Sequence, residues 1–179
     1  MGRKESKAWD SIHSLCAAHH LQEQNLYKRA RLLLSSYGSL CWSRLDRNES
    51  AKDPFTDEEA LNTHLAFAYL KEFSDAESKR DFVTRIAKLM DVRLLQEIVN
   101  HALIRVKEFP VFGEIHFEIL SKCYLSSVEY REDDILFAMD IERSRYYDRK
   151  KEAIMLFGIV FWTSAIQHYE ELIKSARSA

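Results

Sequence analysis

Histidine, cysteine and carboxylate side chains are the groups in this chain of 179 residues that could bind a metal or catalyse a reaction. A zinc site needs four ligands in a recognisable spacing, and a helical di-iron site needs Glu-x-x-His motifs on separate helices. The closest groupings lack the further ligands that would complete such a site. We therefore predict neither a metal site nor a cofactor. These groupings are Cys16 with His19 and His20, Glu97 with His101, and His116 with Glu118.

Glycine and proline are scarce, with four and two residues respectively. Nucleotide-binding loops and the turns of β sandwiches need glycines at fixed offsets. The four glycines lie too far apart to form such a loop, at Gly2, Gly38, Gly113 and Gly158. Cys123 lies among apolar positions, which favours a small buried side chain over a nucleophile. We therefore predict that the protein is not an enzyme.

A basic and aromatic segment at residues 143–151 is the most distinctive feature of the sequence. The whole chain carries a net charge of −2, so binding to nucleic acid requires a local patch. Residues 110–142 carry −6 and residues 143–179 carry +3, so the charge changes sign just before this segment. Arginine and lysine at the start of a helix can neutralise phosphates and contact base edges, although such runs are also common on solvated helix surfaces.

The segment IERSRYYDRKKEA, residues 141–153, resembles the stretch I-S-R-S-x-Y-Y-R-x-K-K-E-A of the ArpU/RinA-type phage transcriptional regulators. The preceding DDILFAM occupies the place of E-I-A-x-x-L in the helix-turn-helix of sigma-factor region 4. The resemblance covers residues 130–170, approximately. It implies a regulator that binds double-stranded DNA and controls phage or prophage genes.

The DNA-contacting residues follow from this segment. We predict that three arginines contact bases or phosphates, that two lysines contact phosphates and that one tyrosine packs on the DNA backbone: Arg143, Arg145, Arg149, Lys150, Lys151 and Tyr147. Tyr146 is expected to fill the apolar slot between the two helices. The motif's serine, glycine and small residue are replaced here by Glu142, Asp140 and Leu136. Aspartate suits a turn and an acid suits a helix N-terminus, whereas Leu136 is expected to widen the helix pair.

The pattern in the rest of the chain predicts a set of helices, and the predicted fold class is all-α. Apolar residues recur with a helical period from about residue 21 into the forties and again over residues 95–106. Thr56 with Glu59 predicts one helix start, and Ser78 with Asp81, or Ser74 with Glu77, predicts the next. Residues 44–54 are predicted to form a loop. We divide the chain into an N-terminal helical region, 1–109, and a C-terminal helix-turn-helix region, 110–179.

The stretch AIMLFGIVFW, residues 153–162, has no polar face and must be covered all round. Either the N-terminal helices cover it, or an outer face with Met155, Ile159 and Trp162 meets a second copy in a homodimer. The alternative to DNA binding is a helical adaptor that uses the acidic segment 129–142 and this apolar helix to bind a protein such as RNA polymerase.

The cellular location follows from the cysteines and from the absence of apolar segments of membrane-spanning length. The three cysteines are odd in number and widely spaced, which is typical of reduced thiols. No stretch has the pattern of a signal peptide or the length of a membrane span. We expect a cytoplasmic protein without a membrane partner.

Overall fold

The computed structural model describes residues 6–46 and 56–179, and these residues form helices with no strand. The all-α prediction is therefore confirmed for this part of the chain. The helices are α1 (Lys7–Ala18), α2 (Glu23–Asp46), α3 (Asp57–Glu72), α4 (Lys79–Leu89), α5 (Val92–Lys107), α6 (Gly113–Leu120), α7 (Glu132–Met139), α8 (Arg143–Val160) and α9 (Ile166–Ser178).

Side-chain caps begin several of these helices at the positions expected from sequence. The hydroxyl of Thr56 accepts a hydrogen bond from the backbone N–H of Glu59, and Ser78 accepts one from Asp81. Each cap satisfies an N–H of the first turn that has no partner within the helix. Residues 44–46 of the loop predicted at 44–54 belong instead to α2, which continues to Asp46, and the other residues of that prediction lie outside the described residues.

Helix α8 forms the centre of the main core. Ala153 to Ile159 are all buried, and α1, α2, α5 and α6 pack around them. Gly158 allows α2 to come close, because a Cβ there would lie 3.1 Å from the Cβ of Ala30. The chain thus covers this apolar stretch by itself. Of the three residues of the proposed dimer face, Met155 and Ile159 are 1% and 3% exposed in a single chain, and Trp162 is partly buried and donates a hydrogen bond to the carbonyl of Leu70. This face therefore does not favour a dimer.

The main core draws on residues from both sides of residue 109, from Ile12 to Ile166. The division of the chain at that residue stays a prediction. Arg29 illustrates the packing between the two parts: its guanidinium lies between the rings of Phe73 and Trp162, 4.6 and 4.5 Å from their centroids. The same group donates a hydrogen bond to the carbonyl of Lys71 at the end of α3.

Two single π-helical turns extend the C-terminal helices. One follows α6 at Ser121–Leu125, and the other joins α8 to α9 at Phe161–Ala165. A π turn inserts an extra residue, which rotates the following side chains relative to a regular α-helix. The sequence periodicity gave no indication of either turn.

Candidate nucleic-acid interface

Helices α7 and α8 are joined by three residues, Asp140 to Glu142. Asp140 adopts the left-handed conformation, with φ of 47° and ψ of 49°. The backbone N–H groups of Asp140 and Ile141 donate to carbonyls in the last turn of α7, which closes that helix. Aspartate therefore makes a turn in which glycine would have a lower conformational energy.

A small second core holds α6, α7 and α8 together. Ile119, Ile135 and Tyr146 are its buried members, one from each helix. The hydroxyl of Tyr146 lies 3.1 Å from Sγ of Cys123, and burial of this group raises the pKa of the tyrosine. Tyr146 thus fills the slot between the helices, as the sequence predicted. Leu136 packs against this cluster and is partly buried.

The face of the first two turns of α8 that points away from this small core is exposed to solvent. Arg143, Ser144, Arg145 and Tyr147 are exposed there, while Tyr146 points inward. This face has the residue types that bind DNA, since guanidinium groups can contact both phosphates and base edges.

Carboxylates contact the basic side chains of this face. Arg143 lies 3.1 Å from Glu132 and 2.7 Å from Asp133, both in the first turn of α7. The hydroxyl of Tyr147 donates to Glu132 at 2.5 Å, and this hydrogen bond raises the pKa of the tyrosine. Arg145 lies 3.9 Å from Glu142. Residues 129–151 contain seven acidic and six basic side chains, so this face is mixed in charge rather than uniformly positive.

Arg149 lies inside the fold rather than on this face. Its side chain is 14% exposed, donates to Glu152 and stacks over Phe112 at 3.9 Å from the ring centroid. The sequence predicted a contact with bases or phosphates for this residue. Its location gives it a structural partner instead, and we leave it out of the DNA-contacting set.

The two lysines lie further along α8 and rest on aromatic rings. The Lys150 ammonium is 5.6 Å from the ring of Tyr124 and 5.8 Å from that of Tyr146, and Lys151 is 5.3 Å from the ring of Trp9. Lys151 is exposed, whereas Lys150 is half-buried. Such contacts are weak at exposed sites, so the ammonium group of Lys151 can turn towards a phosphate.

A buried polar cluster lies just behind this surface and consists of Glu152, Arg149, His116 and Ser6. Glu152 is fully buried and accepts hydrogen bonds from Ser6 Oγ at 2.5 Å and from Arg149, and His116 Nε2 lies 2.9 Å away. Burial alone would raise the pKa of Glu152, but the bonds from His116, Arg149 and Ser6 outweigh it and hold that pKa below its usual range. The cluster ties the start of α1 and helix α6 to α8.

This cluster was not anticipated from sequence, where His116 was grouped with Glu118. The available signal was Glu152 itself, the last acid before an apolar stretch that must be buried. Among the described residues, no group of three or more histidine, cysteine, aspartate or glutamate side chains is arranged to hold a metal ion. None of the described helices combines the length and hydropathy needed to cross a bilayer.

Comparison of the chain with protein-family models, with curated proteins and with solved structures finds no match. Membership of the ArpU/RinA-type regulators, suggested by residues 141–153, therefore stays a prediction.

Proposed function

We propose that this protein is a DNA-binding transcriptional regulator, of the phage type that residues 141–153 resemble, which contacts double-stranded DNA with the first turns of α8. The observation that carries the proposal is the packing of α6, α7 and α8 around their own small core, with a three-residue link before α8. This packing supports the proposal of a helix-turn-helix, a motif whose second helix enters the major groove with its N-terminal residues on base edges. Arg143 and Arg145 lie at that position.

The residues of this face have different roles in the proposed complex. Arg145 is 73% exposed, its ion pair among the described residues is with the solvent-exposed Glu142 at 3.9 Å, and it contacts a base or a phosphate. Arg143 contacts a base or a phosphate when it no longer pairs with Glu132 and Asp133. Lys150 and Lys151 contact phosphates, and Tyr147 packs on the backbone. Arg149 acts through Glu152 and positions α8.

The test is the affinity of the double variant Arg143→Ala, Arg145→Ala for a labelled duplex of random sequence. We expect weaker binding than for the parent and a salt dependence that falls by about one phosphate contact, that of Arg145, because Arg143 stays paired with Glu132 and Asp133 on a random sequence. The matched control is Arg80→Ala, Arg93→Ala, which removes two exposed arginines on α4 and α5. If both double variants bind with the parent's affinity and salt dependence, the assignment of α8 as the DNA-contacting helix is refuted.

The second candidate is the adaptor, and Phe137 on α7 favours it. This side chain is 90% exposed; Asp133 and Asp134 lie four and three residues before it on the same helix face, and Asp140 follows the end of α7. An exposed aromatic ring among acids fits a partner with a basic surface, such as RNA polymerase. The apolar stretch of α8 is buried, which leaves the acidic segment to form this contact.

Binding of purified RNA polymerase by the parent and by Phe137→Ala distinguishes the two candidates. A protein that binds polymerase through Phe137 and does not bind any duplex is an adaptor.

A homodimer would present two copies of α8 to two half-sites on DNA, and sedimentation of the protein with and without duplex tests this.

A further inference from the structure

Glu132, the first residue of α7, contacts two DNA-facing side chains of α8 at once. One of its oxygens lies 3.1 Å from Nη1 of Arg143, and the other accepts the hydroxyl hydrogen of Tyr147 at 2.5 Å. Asp133 accepts a hydrogen bond from Nη2 of Arg143 at 2.7 Å. We call Glu132 and Asp133 the carboxylate pair. Both terminal nitrogens of the Arg143 guanidinium thus have an acidic partner within the chain.

The carboxylate pair opposes a phosphate more strongly than it opposes a base. A phosphate that approaches Arg143 brings a negative charge towards two carboxylates, and the repulsion at a separation of about 6 Å is about 0.7 kcal/mol for each pair of charges in water. The O6 and N7 atoms of guanine are neutral acceptors that a guanidinium can contact with two hydrogen bonds. Arg143 can therefore leave its partners for a well-placed base with less repulsion than for a phosphate.

We propose that Glu132 and Asp133 determine the selectivity of this protein for DNA sequence by withholding Arg143 from the phosphates of non-specific DNA. The inference rests on the proposed DNA-binding function and adds a role for α7 in it. In the non-specific complex Arg143 stays paired with the carboxylates, and binding depends on the remaining cations. In the specific complex a base replaces the carboxylates as the partner of Arg143.

The test uses the full chain and a labelled duplex of random sequence at about 50 mM salt, together with the tightest duplex that the parent selects from a random pool. The variant Glu132→Gln, Asp133→Asn is expected to bind the random duplex about tenfold more tightly than the parent, with a salt slope steeper by about one. Its affinity for the selected duplex rises less, so the ratio of specific to non-specific affinity falls. Each single variant is expected to give about a threefold increase in affinity for the random duplex.

Asp134→Asn is the matched control. This acid belongs to the same first turn of α7 and is exposed, but it forms no ion pair with Arg143 among the described residues. We expect its affinity for the random duplex to stay within about twofold of the parent's, because its replacement releases no cation that could contact a phosphate. In an Arg143→Ala background, the double substitution is expected to lose its effect. Thermal melting confirms that each variant is folded at the assay temperature.

The outcomes separate this inference from the proposed function. If the parent binds DNA and the carboxylate substitutions leave the affinity for the random duplex unchanged, the inference is wrong and the proposed function stands. An equal gain from Asp134→Asn, or an undiminished gain without Arg143, assigns the effect to net charge and also overturns the inference. If neither the parent nor any variant binds a duplex, both the proposed function and the inference are refuted.

Discussion

Replacement of Glu152 by alanine removes the acceptor shared by the buried polar cluster. Glu152 is fully buried, and its loss leaves His116, which is also fully buried, and the largely buried Arg149 without their acidic partner. Removal of one member of a buried ion pair costs about 3–5 kcal/mol, against a total stability of about 5–15 kcal/mol for a typical domain. At about 2–4 °C per kcal/mol for a chain of this size, we expect the melting temperature to fall by about 10 °C.

The stabilisation that Glu152 gives to the fold depends on pH, in a direction set by the pKa of this residue. Burial raises this pKa, but the bonds from His116, Arg149 and Ser6 lower it below the ordinary value of 4.5. A group whose pKa is depressed by folding stabilises the native state above its unfolded-state pKa, and this contribution is lost as the pH falls through the folded-state pKa. The difference between the parent and Glu152→Ala is therefore full at neutral pH and shrinks below about pH 4.5.

Circular dichroism at neutral pH and over an acid series measures both effects, with Glu171→Ala as the control. Glu171 is an exposed acid on α9, and its replacement is expected to change the free energy of unfolding by less than about 0.5 kcal/mol. Glu152→Gln retains an acceptor without the charge and should melt between the parent and the alanine variant. If Glu152→Ala melts within about 2 °C of Glu171→Ala at neutral pH, the buried polar cluster does not stabilise the fold.

Two further predictions concern backbone positions, and thermal melting checks both. Gly113→Ala places a Cβ 2.5 Å from the carbonyl oxygen of Lys107 and should destabilise the protein by about 1–3 kcal/mol, whereas Gly38→Ala, with nothing within 4 Å, should stabilise it by about 0.5–1 kcal/mol. Equal shifts for the two glycine variants would contradict the close approach at Gly113. Asp140→Gly should stabilise the protein by about 1 kcal/mol and Asp140→Val should destabilise it, because residue 140 is left-handed. A lower melting temperature for Asp140→Gly would refute this account of the link.

The sequence predicted the features that depend on local pattern. The caps at Thr56 and Ser78, the start of α8 at Arg143 and the inward position of Tyr146 all follow from residue types at helical spacing. Asp140 was recognised as the residue that replaces glycine in the link, and its left-handed conformation agrees with that interpretation.

The remaining features depend on how distant segments meet. Ser6 and Glu152 are 146 residues apart, so no local pattern connects them. Arg145 and Arg149 are four residues apart and look equivalent in sequence, but Arg149 is covered by Phe112 and by the buried cluster. The pairing of Arg143 with Glu132 and Asp133 depends on the angle between α7 and α8, which the sequence does not give.

The central claim, that the first turns of α8 lie on DNA, is tested most directly by site-specific photo-crosslinking to a labelled duplex. A crosslinking amino acid at Ser144, which is exposed between Arg143 and Arg145, should attach to the duplex, and the same group at Glu171 on α9 should not. A crosslink to DNA from position 144 that disappears with excess unlabelled duplex is the predicted result. Equal crosslinking from both positions, or none from position 144 under conditions where the protein binds the duplex, would contradict the claim.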